Sequence, residues 1–253
     1  MRLARALTAI VGVVTLTLAG ACSGPAGPNG QSGLITIVAS PSFTDAINAM
    51  VHAYTSSYPG VQINTTFVDD AHMPDRVKAG PTPDVVVAES PQTLTNATIT
   101  GSPAHFALGQ LVMAVPKDNP KALHGLDDLR RPDVRVALCA ADEPCGEVAT
   151  AVLAAAQVPL PANAVTKPDV RSALDAVTSG TADVALVYRF DAQAASDTFI
   201  TVELPSSGVA LADLVAIVPA NAPNSATAHG FLDYLVSPAV ADVLTRDGFR
   251  PTA

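Results

Sequence analysis

Strand-like and helix-like segments alternate along this chain, and the junction Val38-Ala39-Ser40-Pro41-Ser42-Phe43-Thr44-Asp45 shows the constraint most plainly. Residues 34–39 alternate and are β-branched, as in a buried sheet, while Ala46, Ile47, Met50, Val51 and Tyr54 recur at helical spacing. A strand that passes into a helix through three small residues leaves backbone N–H groups and the positive end of the helix dipole facing the turn. Such a turn suits an anion. Ser42 with Asp45 three residues later also reads as a capping box, so Ser42 has two candidate uses, as a cap of its own helix and as a ligand donor.

The alternation continues. Tyr58-Pro59-Gly60 is a turn, Val61, Ile63, Thr65 and Phe67 form a strand, and a short helix ends near Gly80. Val85-Val86-Val87-Ala88 is a continuous apolar run, the pattern of a strand buried on both faces. Residues 90–106 are polar and weakly patterned, a short helix or a loop. Strands are predicted at residues 110–115 and 134–138, with a helical turn between them at Leu126, Leu129 and Arg130. Glu147 opens a helix with Val148, Ala151, Val152 and Ala155 on one face, and Asp169 is a fair cap for a third helix carrying Val170, Leu174 and Val177. The strand at residues 184–188 ends on Tyr188, and the carboxyl ends of strands in open α/β sheets are where ligands bind. Extended runs at 198–204 and 211–218 and helices at 226–235 and 239–245 close an α/β chain.

Composition narrows the function. With 253 residues, 49% of them hydrophobic and 15% charged, there is material for one large or two modest domains. Aromatic residues make up 4% and Trp is absent, so a stacking platform is poorly supplied. The segment 1–21 holds Arg2 and Arg5 and no acid, so its removal takes the net charge from -9 to -11. A surface that acidic repels phosphate backbones, which excludes nucleic acid as a partner.

The segment itself reads as a targeting sequence, with a charged start, an apolar stretch at 6–18 and small residues before a cysteine. Ala19-Gly20-Ala21-Cys22 resembles the lipobox of a bacterial lipoprotein, with Ala19 where a larger aliphatic residue is usual. Lipid on Cys22 would anchor the protein to the outer face of the cell membrane, and residues 22–33 read as a tether. Cys139 and Cys145 are six positions apart; outside the cytosol such a pair forms a disulfide, with two free thiols as the alternative.

Several stretches, in order and spacing, resemble the molybdate-binding proteins of bacterial ABC importers, members of the two-domain type II solute-binding fold. They are the Ile35 to Ala46 junction, Pro83-Asp84-Val85, Val115-Pro116-Lys117-Asp118-Asn119-Pro120, Asp169-Val170-Arg171-Ser172-Ala173-Leu174, the Gly180 to Tyr188 run, and Phe231-Leu232-Asp233-Tyr234-Leu235-Val236-Ser237-Pro238 with Gly248-Phe249. The resemblance implies two lobes, each a mixed sheet flanked by helices: residues 34–109 plus 206–253, and residues 110–205, hinged near Gln110 and Pro205. It further implies a monomer without cofactor or enzymatic activity that binds a tetrahedral oxyanion, molybdate or tungstate, and delivers it to an ABC permease and its ATPase. Position by position, Ser42 matches a hydroxyl donor, Cys145 and Val170 match backbone N–H donors, and Tyr188 matches a phenol donor.

Asp70 stands where the family has a second donor hydroxyl. An ionised carboxylate accepts and does not donate, so Asp70 points away, carries a proton, or marks a changed ligand. A solute with a positive group that Asp69 or Asp70 could pair is the other ligand class. Ser42 lies outside a Gly-x-Ser-x-Gly elbow, and His52, His72, His105, His124 and His229 lack metal-ligand spacing. The expected metal is therefore in the anion, not a bound cation.

Overall fold

The computed structural model describes residues 31–204 and 211–252. The segment 1–21, Cys22 and the second crossing at Pro205 lie outside the described residues. Among the described residues ten strands run in the order β1 (Gly33–Ala39), β2 (Val61–Phe67), β3 (Val85–Ala88), β4 (Ala104–Pro116), β5 (Val136–Cys139), β6 (Val165–Lys167), β7 (Val184–Tyr188), β8 (Phe199–Glu203), β9 (Leu211–Ile217) and β10 (Arg250–Pro251). The helices are α1 (Thr44–Ser57), α2 (Met73–Ala79), α3 (Pro91–Asn96), α4 (Pro144–Ala155), α5 (Val170–Thr178), α6 (Arg189–Ala194), α7 (Ser225–Leu235) and α8 (Pro238–Arg246).

The strands pair in the order β2-β1-β3-β9-β4-β7-β5-β6, with β8 and β10 also on β4. In the first half, β1 is parallel to β2 and β3, while β9 runs antiparallel between β3 and β4. In the second, β5 is parallel to β6 and β7, and β4 is antiparallel to β7 and β8. The long strand β4 serves both. Up to Gln110 it pairs with β9; from Leu111 it pairs with β7.

Alternation along β1 and β3 explains their burial. Ile35, Ile37, Ala39, Val85 and Val87 enter the larger apolar core, whereas Val38, Val86 and Ala88 enter a smaller one with Met73, Leu94, Val215 and Ile217. A strand with a core on each face must be apolar at every position, and β3 is fully buried. Each such valine contributes roughly 1.5–3 kcal/mol on burial. Asp84 enters this interior because it is saturated with donors: the amides of Thr36 and Asn224 at 2.8 and 2.7 Å and the Thr36 hydroxyl at 3.1 Å. Gln31 and Ser32, at the end of the expected tether, already accept bonds from Tyr54 and Thr227.

Two expectations about helix starts need correcting. The residue before α1 is Phe43, and Ser42 lies in a 3-10 turn, Pro41–Phe43, without a side-chain capping bond. The proline fixes that turn, and Thr44 bonds back to the Pro41 carbonyl at 2.6 Å. Helix α4 begins at Pro144, not at Glu147, so Cys145 and Gly146 stand in its first turn. The cap at Asp169 is as expected, its carboxylate accepting from the Ser172 amide at 2.7 Å. Strand β6 and helix α6 are additions to the predicted elements.

Candidate ligand site

The carboxyl ends of the parallel strands face a common region, each supplying polar groups. Strand β1 leads to Ser40 and Ser42, β2 to Asp70, β3 to Glu89, β5 to Glu143 and Cys145, β6 to Asp169 and Val170, and β7 ends on Tyr188. Helix α5 packs on the Pro41–Phe43 turn, and Arg171 fastens the two by donating to the Pro41 carbonyl at 3.2 Å and the Asp45 carboxylate at 3.0 Å. Cys139 and Cys145 are disulfide-bonded with Cα atoms 5.8 Å apart, which ties the start of α4 to the end of β5. The amides of Cys145 and Val170 lie in first helical turns, where an N–H has no carbonyl four residues back.

At the centre stands a carboxylate, Glu89, with 4% of its surface exposed. Ser40 donates to its Oε1 at 2.5 Å, while its Oε2 is buried without a bond partner. Burial pushes the Glu89 pKa up, and the hydroxyls of Ser40, Ser42 and Tyr188 pull it back. Those of Ser42 and Tyr188 bear on Glu89 from opposite halves without reaching hydrogen-bond geometry, and the Tyr188 hydroxyl is buried with no partner. Burial, then the charge of Glu89, holds the Tyr188 phenol well above its ordinary range.

Asp70 is buried as well, but one oxygen is committed. Its Oδ2 accepts from the Glu89 amide at 3.0 Å and the Thr93 hydroxyl at 2.7 Å, and its Oδ1 has no partner. Burial and then Glu89 raise its pKa well above the usual carboxylate range. The same two causes raise Asp191, on α6, and push Glu143 up to about 7.

A family model described as bacterial extracellular solute-binding protein matches residues 35–250. The chain belongs to that family. It is 26% identical over 246 residues, 95% of this chain and 93% of the other, to the molybdate-binding protein ModA of Mycobacterium bovis and equally to that of Mycobacterium tuberculosis. The periplasmic molybdate-binding protein of Azotobacter vinelandii superposes with a TM-score of 0.75 at 17% identity, covering 87% of this chain and all of that one. The sulfate-binding protein SubI of Mycobacterium tuberculosis gives 0.72 at 19%, covering 88% of each. The two-lobed α/β fold of the periplasmic binding proteins is thus this chain's fold, and its role is extracytoplasmic solute binding.

As a solute-binding protein it gathers four buried acids, Asp70, Glu89, Glu143 and Asp191, at its candidate site. Two unit charges 4 Å apart interact by about 4 kcal/mol at an effective dielectric of about 20, and a dianion doubles that. Ionised Glu89 and Asp70 are therefore incompatible with a dianion in contact. Glu89, Ser40 and Glu143 are the site residues that sequence reasoning missed. Glu89 carried a signal, since it directly follows the apolar run of β3 just as Tyr188 closes that of β7. Asp69, His72 and Glu143 bring three possible ligand atoms within 4.8 Å, but Asp69 and His72 already pair at 2.8 Å. The trio reads as a polar seam joining the β2 end to the α4 start. Among the described residues no helix is long and apolar enough to cross a membrane.

Proposed function

We propose that this protein is the solute-binding component of an ABC importer, taking a tetrahedral oxyanion of the molybdate and tungstate class between lobes 34–109 plus 206–253 and 110–205 and passing it to a permease and its ATPase. It acts as a monomer without cofactor or catalytic chemistry, anchored through lipid on Cys22. The observation that carries the reading is a buried Tyr188 hydroxyl with no partner at the end of β7, which with Ser42 from the other half lowers the pKa of buried Glu89, whose Oε2 is also without a partner. Hydroxyls aimed at a carboxylate are equally aimed at an oxyanion. Amides of Cys145 and Val170 complete the donor set, and the hydroxyl and amide donors distinguish such anions by cavity size and donor number, since molybdate and sulfate carry the same charge. Isothermal titration with molybdate, tungstate and sulfate at mildly acid and neutral pH tests it. Heat with molybdate or tungstate is expected, and silence with all three overturns the oxyanion.

A second reading rests on the burial of Asp70, Glu89, Glu143 and Asp191 around the same point. Such a site pairs with a solute bearing a positive group. A thermal shift with amine-bearing solutes and none with oxyanions selects it.

A further inference from the structure

We propose that Glu89 is a resident occupant of the ligand position: its enclosed carboxylate competes with a solute for the Ser42 and Tyr188 hydroxyls, draws the two halves together without solute, and is exchanged when solute binds. The inference rests on the site proposed above and names how that site is controlled.

A carboxylate buried for architecture alone looks like Asp84, surrounded by donors from the backbone and from two side chains. Glu89 is different. One bond from Ser40 satisfies Oε1, and Oε2 is enclosed with none. Neither is it there to balance a cation. The charged groups facing it are Asp70 from the β2 end, Glu143 before α4, Asp169 before α5, Asp191 on α6 and the Tyr188 phenol. The arginines of those helices pair elsewhere, Arg171 with Asp45 and Arg189 with Glu203, with the Arg189 Nε left buried and without a partner, and Arg171 acts on Asp191 rather than on Glu89. What remains is its position. Glu89 follows β3 in the first half and Tyr188 ends β7 in the second, and the partnerless Oε2 of the one and the partnerless hydroxyl of the other bear on each other without bonding. Ser42 is the cap of neither the 3-10 turn nor α1, whose caps are Ser40 and Phe43, so its hydroxyl is left for the ligand position.

Two anions do not share one set of donors at contact distance. An oxyanion must therefore meet Glu89 either protonated, its new O–H donated to the solute, or swung out of the cradle. The proton comes from solvent, so binding of an oxyanion is stronger in acid. The nature of the solute follows from whether the exchange partner is an anion, which displaces Glu89, or a cation, which pairs with it.

The test begins without solute. Small-angle scattering of the wild-type protein and of Glu89→Ala, with folding of each checked by circular dichroism, measures whether the carboxylate closes the molecule. A smaller radius of gyration for wild type supports the inference, and equal radii overturn it whatever else is seen. Glu89→Gln, which keeps shape and loses charge, covers the case in which the alanine variant fails to fold. In titrations at about pH 8 it should bind molybdate or tungstate about tenfold tighter or more than wild type and lose the tightening that wild type shows toward about pH 5. If the radii differ while no variant binds any oxyanion, the resident carboxylate stands and the oxyanion reading falls.

Discussion

Three buried acids show how the same functional group takes opposite roles. Asp84 is satisfied on every side and joins β1, β3 and the start of α7, so Asp84→Ala should cost about 3 kcal/mol, from several lost bonds to a charged group and the donors left without a partner. Urea unfolding measures it. Asp70 and Glu89 each keep an enclosed oxygen with no partner, the state in which burial is costly unless a ligand or a proton is involved. Ser42 separates function from stability. Because it is the cap of neither the 3-10 turn nor α1 and reaches no hydrogen-bond geometry with Glu89, Ser42→Ala should leave the unfolding free energy within about 0.5 kcal/mol while weakening oxyanion binding by about 1–3 kcal/mol, read by paired denaturation and titration. The residue was legible in the sequence and its cap was not, since Ser-x-x-Asp spacing does not reveal that Pro41 starts a 3-10 turn one step earlier. Glu89 was legible by the strand-end rule but is hidden by the polar segment it introduces.

Among the elements, the start of α4 shows the tightest geometry. A Cβ on Gly146 would stand 1.9 Å from the carbonyl oxygen of Ala140 and 2.7 Å from its carbon, atoms of a backbone that the disulfide already holds. Gly146→Ala must push the first turn of α4 away from the end of β5, carrying the Cys145 amide with it. The expected result is a loss of several kcal/mol, about 3 or more, together with weaker solute binding, and calorimetry with titration reads both. The apolar face predicts helix α4 only from Glu147, because Pro144-Cys145-Gly146 lacks helical periodicity. Strand β6 and helix α6 left less trace. Three half-exposed residues, and six that follow directly on a strand, are too short for a period to emerge.

At the scale of the molecule, buried acids set the response to pH. Burial and then the charge of Glu89 push the Glu143 pKa from its ordinary 4.5 up to about 7, so between those values the native state keeps a proton that the unfolded state has lost. Stability therefore falls as pH rises through that window; Asp70, Glu89 and Asp191 are raised in the same direction. Melting temperature should decline from about pH 5 to about pH 8, and Glu143→Gln should remove part of the decline. The α/β class and most strands were readable from periodicity, because a strand enclosed by two cores announces itself residue by residue. Strand order was not, since nothing local in residues 211–217 says that they pair between β3 and β4.

That placement of β9 has a consequence for the order of assembly. Strands β5 to β8 and their share of β4 lie within residues 111–203, so this half holds all its pairing partners as soon as that stretch has left the ribosome. The other half waits. Its centre is filled by residues 211–217, and until they arrive β3 and the first part of β4 are unpaired edges awaiting a neighbour. Synthesis thus finishes the second half first, and a nascent chain stopped at residue 204 would protect the amides of β5 and β7 from hydrogen exchange while leaving open those of β3 that face β9.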